Sequence, residues 1–397
     1  MATDLQDEPR ITIPRSRVND YTHEMAAMRR GFILESTGVD LTHLAHYSFD
    51  PAILPGNIEN FIGVAQVPIG VAGPLQIHGE YAEGEFFIPL ATTEGTVVSS
   101  YNRGMRVLSE SGGVRTTVVD DAMQRAPAFL LGNARLARSF GRWVEEHYEH
   151  IKREAEATTR VGKLIRIEQF AVGPVRYLRF NYTTGDAAGQ NMTGKATQAA
   201  CEWIRDNCPF RTSYYLSGNI DTDKKHSHLN MLLTRGKRVV AEAVIPGQLL
   251  RRYLHIETEE ICKIREVQIS GAFLAGSSST GAHAANGLAA LFIATGQDVA
   301  NIAESHSSLT YTQALENGDF YWSITLPSLI VGTFGGGTGL ATQRQCLEMM
   351  GCYGDGKVNK FAEICAAVVL AGEISLVAAI LHGDWVSSHE RLGRNRR

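Results

Sequence analysis

The chain has 397 residues, 44% of them hydrophobic and 20% charged, with a net charge of −4. That is the make-up of an ordinary soluble globular protein long enough for two or three domains, and it supplies no global basic field for nucleic acid. Met1 to Arg17 is charged and has no apolar stretch, so neither a signal peptide nor a membrane is expected, and a cytoplasmic protein is.

Residues 1–55 read as a charged helical segment, with a helical pattern around Tyr21 to Leu34. Asn57 to Ala91 alternates apolar runs with Gly and Pro, as in Val67 to Pro74, which predicts short strands and turns. Val97 to Leu108 reads as a helix. Asn133 to Thr158 reads as one long amphipathic helix, with Leu136, Phe140, Trp143, Val144 and Ile151 on one stripe. Leu164 to Phe170 and Val175 to Tyr182 form a hairpin across Gly173-Pro174. A helix over Ala187 to Asp206 and a strand over Thr212 to Leu216 complete a compact α+β unit. Helix, hairpin, helix, strand is not a βαβ series, which argues against a Rossmann domain.

After residue 226 the pattern of residues 56–126 returns. Val239 to Ile245 is a strand, His283 to Thr295 a small-residue helix, and Phe361 to Leu381 an apolar helix interrupted by Glu373. The fold class is therefore α+β. A large domain in two pieces, 56–126 and 227–397, holds an inserted unit, 127–216, with 217–226 at the return crossing. Val267 to Gln297 and Phe320 to Gln343 contain no Asp, Glu, Lys or Arg. Ser277 to Thr280 in the first and Pro327 in the second argue against membrane spans, so both read as buried elements lining a site. Six cysteines without a CxxC pair read as reduced structural thiols, and no metal-ligand spacing appears.

The chemistry-bearing segment is Ser217-Gly-Asn-Ile-Asp-Thr-Asp-Lys-Lys225. One lysine of a loop pair can face a reacting carbonyl while its neighbour holds the rest of a substrate. Asp223 would keep Lys224 charged and aimed, as oxyanion stabilisation requires. Glu94 lies in an otherwise uncharged stretch, Ala91 to Gly95, where desolvation would raise its pKa and let it act as an acid. Asp298 follows an apolar helix, His389 precedes an arginine-rich end, and Gly335-Gly336-Gly337 lets backbone approach a ligand closely.

Taken in order, these strings resemble the catalytic region of the hydroxymethylglutaryl-CoA reductase family from about Glu59 to His389. The matching strings are Glu59 to Gly63, Pro68 to Leu75, Ala91 to Gly95, Ser217 to Lys225, His283 to Asn286, Ile293 to Asp298, Gly332 to Thr338, and Leu370 to Glu373 with His389. The resemblance implies a large CoA-binding domain with an inserted ferredoxin-like nicotinamide domain, in a soluble form of the anchored enzymes' catalytic portion. It implies a homodimer or a dimer of dimers with active sites at the subunit interface.

By the same resemblance, NADPH reduces 3-hydroxy-3-methylglutaryl-CoA to mevalonate and CoA. Lys224 would stabilise the oxyanion, Glu94 would supply a proton at the aldehyde stage, Asp298 would order both, and His389 would protonate departing thiolate. Arg125, Ser217, Asn219, Asp223, Lys225 and Asn286 would hold the substrate, and Asn102, Arg103 and His283 the CoA. Asp186, Gly189, Gln190 and Asn191 with Gly335, Gly336 and Gly337 would meet the cofactor. Thr159 and Arg160, near Lys163, would meet its 2′-phosphate.

Three features depart from the family. Val267 stands where a lysine pairs with the substrate's free carboxylate, the serine-rich loop Ala275 to Gly281 is one residue short, and Ala188 and Gln190 replace common methionines. A different acyl-CoA is the alternative substrate, and a non-catalytic CoA-binding homologue the alternative from another class.

Overall fold

The computed structural model describes residues 12–383 and Glu390. Helix α1 (His23–Thr37) starts where Thr22 Oγ1 accepts the Met25 N–H and stops at Gly38 in the left-handed region. Its Ala26 packs with Leu54 and Phe61 in a small core. Strands β1 (Ile69–Gly79) and β2 (Glu83–Ala91) pair antiparallel and run longer than the short strands expected there. Helix α2 (Val97–Glu110) leads to β3 (Val114–Arg125).

Then come β4 (Ala128–Leu130), α3 (Ala134–Glu146), α4 (Tyr148–Glu156), β5 (Lys163–Val172), β6 (Val175–Thr183), α5 (Gln190–Asn207) and β7 (Ser213–Tyr215). The second half holds α6 (His228–Leu233), β8 (Gly236–Ile245), the single turn α7 (Gly247–Leu249), α8 (Thr258–Leu274), α9 (Ala284–Thr295) and the short α10 (Ile302–Ser305). It closes with β9 (Leu309–Ala314), β10 (Phe320–Leu329), α11 (Ala341–Met349) and α12 (Val358–His382).

Strand β3 joins two halves of one open sheet. Val114 to Thr116 pairs parallel with β1, and Arg115 to Ala122 pairs antiparallel with β8. The last three residues, Met123 to Arg125, pair with β6, beyond which lie β4 and β7, with β5 on β6. Every other pairing among the described residues is antiparallel, so the fold is α+β as expected. Two hydrophobic cores flank the junction. The larger is built on β1, β2, β8, β10, α2, α9 and α12, and the smaller on Phe129, Phe140, Leu178, Phe180 and Ile204.

Three expectations need correction. The helix over Asn133 to Thr158 is two helices broken at His147, whose ring donates to Trp143 O at 2.8 Å and ends α3. The bend lets Ile151 and Ala155 reach the same core as Phe140 and Val144. Glu373 does not interrupt α12. It is fully buried and receives Ala282 N–H at 2.8 Å and His283 N–H at 2.6 Å, capping the start of α9. Charge-assisted bonds to backbone N–H groups satisfy the carboxylate where water cannot. Finally, the charge-free stretch from Val267 is buried only in its second half. Val267, Phe273 and Leu274 on α8 are 60%, 86% and 89% exposed, because no described layer packs over that face. Among the described helices, α12 alone is long and apolar enough to cross a membrane, and most of it is buried inside the protein.

Candidate active site

The Ser217 to Lys225 loop leaves β7 and returns towards β8 through α6. Gly218 N–H donates to Ala126 O at 2.7 Å, tying the loop to the end of β3. Asn219, Thr222 and Lys224 all adopt positive φ. Such backbone is costly for residues with a Cβ and persists only when its surroundings hold it. For Lys224, at φ 56°, the hold is Glu304 of α10, whose Oε1 accepts the Lys224 N–H at 3.0 Å.

The Lys224 ammonium meets Asp298, with Nζ 2.8 Å from Oδ2. That bond raises the lysine's pKa above its ordinary value, and Asp223 and Glu304 add to it. Asp298 is itself fixed, because its Oδ1 accepts the Ala300 N–H at 3.1 Å and starts a short turn. Asp223, expected to aim Lys224, faces elsewhere. Its Oδ1 accepts Arg235 Nη2 at 2.8 Å and Gln190 Nε2 at 3.2 Å, and its Oδ2 lies 3.8 Å from Arg125 Nη2. Neighbouring side chains on an irregular loop diverge, so a carboxylate from a distant turn meets the ammonium.

Arg235 and Glu304 escape sequence reading. Both are buried, and Arg235 Nε lies 3.0 Å from Glu304 Oε2. Burial pushes the Glu304 carboxyl up to about 7, while Arg235 opposes the rise. Nothing in the string Glu304-Ser305-His306 separates this acid from a surface one; only a buried arginine arriving from the residue before β8 does.

Three segments converge on the turn before Asp298. Gln297 exchanges bonds with Gly332, its Nε2 donating to Gly332 O at 2.9 Å and its Oε1 accepting Gly332 N–H at 2.8 Å. A Cβ on Gly337 would sit 2.7 Å from Gly296 O, so only glycine permits that approach. Thr333 N–H donates to Asp186 O at 2.8 Å. The Asp186 carboxylate accepts Gly356, Lys357 and Val358 N–H groups and so caps α12. Gln190 reaches Asn301 as well as Asp223, joining the start of α5 to the lysine loop.

The other candidates are distributed as follows. Glu94 lines a cleft of about 510 Å³ with Val67, Ala91, Asn286, Ala290 and Ile293. It is exposed, and no hydrogen bond or ion pair joins its carboxylate to another described side chain. Its loop sits at the open mouth of α2, where water reaches it. Arg125 is engaged with Asp221 at 3.2 Å. Lys225 Nζ donates to Asp223 O at 3.0 Å; Ser217 and Asn219 are exposed.

His283 is buried against Tyr101, its ring centroid 4.8 Å away, and burial lowers its pKa to about 4. Asn102 Oδ1 accepts the Gly73 N–H, and Arg103 donates to Ser375. Thr159 Oγ1 accepts the Gly162 N–H beside exposed Arg160, and Lys163 pairs with Glu156 at 3.2 Å. His389 lies outside the described residues.

Fold and site together define a two-core α+β enzyme with a lysine–carboxylate centre where the cores meet. The sequence profile of the hydroxymethylglutaryl-coenzyme A reductase family matches residues 25–394, and the chain belongs to that family. It is 47% identical over 375 residues to the 3-hydroxy-3-methylglutaryl-coenzyme A reductase of Pyrococcus horikoshii, covering 92% of this chain and 91% of that one. With the Methanocaldococcus jannaschii enzyme of the same name it shares 44% over 374 residues, covering 92% of each. The class II reductase of Streptococcus pneumoniae, solved bound to NADPH in open conformations, has the same fold. Its TM-score is 0.67 at 19% identity, over 83% of this chain and 89% of that one.

Proposed function

We propose that this chain reduces 3-hydroxy-3-methylglutaryl-CoA to mevalonate and CoA with two NADPH. The observation that carries the reading is the Lys224–Asp298 pair at 2.8 Å, set on a loop that Asp223 and the Lys224 N–H tie to Arg235, Gln190 and Glu304. NADPH, when bound, supplies a hydride to the thioester carbonyl carbon and, in a second round, to the aldehyde carbon. At each stage Lys224 stabilises the developing oxyanion, and Asp298 keeps it charged and aimed. The C–S bond breaks as the hemithioacetal collapses, and His389 protonates the thiolate. Glu94 protonates the aldehyde oxygen. Two protons are consumed with the two NADPH per CoA released.

The chain's own residues fit the cofactor. Helix α5 begins at Gly189 with no side chain capping it, leaving N–H groups for an anion, and a Cβ on Gly335 or Gly336 would meet nothing within 4 Å. Asp186 to Asn191, Gly335 to Gly337, Thr159 and Arg160 would hold it on the inserted domain, 127–216. Arg125, Ser217, Asn219, Asp223, Lys225 and Asn286 would hold the acyl group, and Asn102, Arg103 and His283 the CoA, on 56–126 and 227–397. The exposed apolar face of α8 supports a homodimer or a dimer of dimers.

The test follows NADPH absorbance with purified protein and 3-hydroxy-3-methylglutaryl-CoA, counting cofactor oxidised per CoA released. Two per CoA is expected, and Lys224→Ala should abolish turnover while CoA still binds. A folded, NADPH-binding protein that turns over another thioester instead would move the substrate, in line with Val267.

A further inference from the structure

Glu304 has no part in the reaction as written, yet it is 1% exposed and faces the Lys224 loop. One oxygen accepts the Lys224 N–H at 3.0 Å; the other lies 3.0 Å from Arg235 Nε. Arg235, fully buried, directs its remaining nitrogens to Gln124 O at 2.9 Å and Asp223 Oδ1 at 2.8 Å. The short segment from Asp298 to Glu304 therefore supplies both partners of one lysine, Asp298 for the ammonium and Glu304 for the backbone.

We propose that Glu304 is a positioning residue for Lys224. It holds the lysine in its left-handed conformation, so that the ammonium projects to Asp298 and to the substrate oxygen, and it does not itself touch substrate. Without that acceptor the residue relaxes towards negative φ, the Cα–Cβ vector swings, and the ammonium leaves its place. This inference rests on the reading of Lys224 as the oxyanion-stabilising group.

Steady-state kinetics and equilibrium binding of NADPH and CoA on Glu304→Ala, Glu304→Gln and Lys224→Ala test it. Glu304→Ala should lower kcat by about 100-fold, the scale of misplacing a catalytic group by ~1 Å, with both KM values nearly unchanged. Glu304→Gln keeps an oxygen for the Lys224 N–H and should retain kcat within about fivefold of the parent, since a neutral acceptor makes the same bond. If the alanine variant does not fold, Glu304→Met, closer in volume, replaces it. A wild-type kcat in the alanine or methionine variant, with Lys224→Ala inactive, overturns the inference alone. A folded Gln variant as slow as Lys224→Ala overturns it too, since charge and not position would then matter. An active Lys224→Ala overturns the underlying reading.

Discussion

Asp298→Asn should separate what the ion pair does for stability from what it does for rate. The two side chains are 42% and 43% exposed, with 2.8 Å between Nζ and Oδ2. At that separation Coulomb attraction in water is ~1.5 kcal/mol. Side-chain ordering and salt reduce an exposed pair to about 0–1 kcal/mol. The variant should therefore lose less than about 1 kcal/mol, a Tm shift of about 4 °C at most. Its kcat should fall far more, by about 10²–10³, because the lysine's placement matters most when the oxyanion forms.

The pH dependence follows from the same bond. Asp298 is the main cause of the raised Lys224 pKa. A raised lysine contributes its stability fully below the unfolded value of about 10.4 and loses it as pH climbs through the higher folded value. Near neutrality this contribution is fully present and does not change with pH, while the alkaline limb of the variant's rate profile should move to lower pH. Calorimetry and NADPH oxidation across pH measure both quantities. A kcat loss below tenfold with intact binding, or a Tm drop large enough to account for the lost rate, would refute the reasoning.

Gln190→Met removes the donor shared by Asp223 and Asn301. A hydrogen bond to a charged group is worth about 1.5–3 kcal/mol, so kcat/KM for NADPH should drop about tenfold or more, and an unchanged value would show that the tie is idle. Gly337→Ala places a Cβ 2.7 Å from Gly296 O, and denaturant titration should register a loss of about 1–3 kcal/mol. Glu304, with its carboxyl up at about 7, contributes stability that is full below the ordinary glutamate range and lost as pH rises through about 7. The Glu304→Gln variant should gain on the parent by up to about 3 kcal/mol between about pH 4 and 8, and parallel pH curves would contradict this.

Much of the site was legible because it lies in short contiguous strings. The lysine loop, the Gln297-Asp298 turn and the triple-glycine loop each carry residues that a local segment needs for its own chemistry or backbone shape. The hairpin at Gly173-Pro174 and α9 were legible for the same reason, since local pattern and local conformation coincide. The break at His147 was not. It depends on one ring bonding a carbonyl four residues back and on a core that curves beneath α3 and α4.

In what family the chain falls, the amino-acid order determined by itself. Which charge meets which was decided only in three dimensions. Asp298 pairs with Lys224, while adjacent Asp223 is taken by Arg235 and Gln190. Glu373 in an apolar helix looks like a break until the start of α9 arrives with two N–H groups to bond. The physical reason is common to all three. A charge is stabilised by the partners that long-range folding brings within about 3 Å, and in a buried site those partners come from segments far apart in the chain.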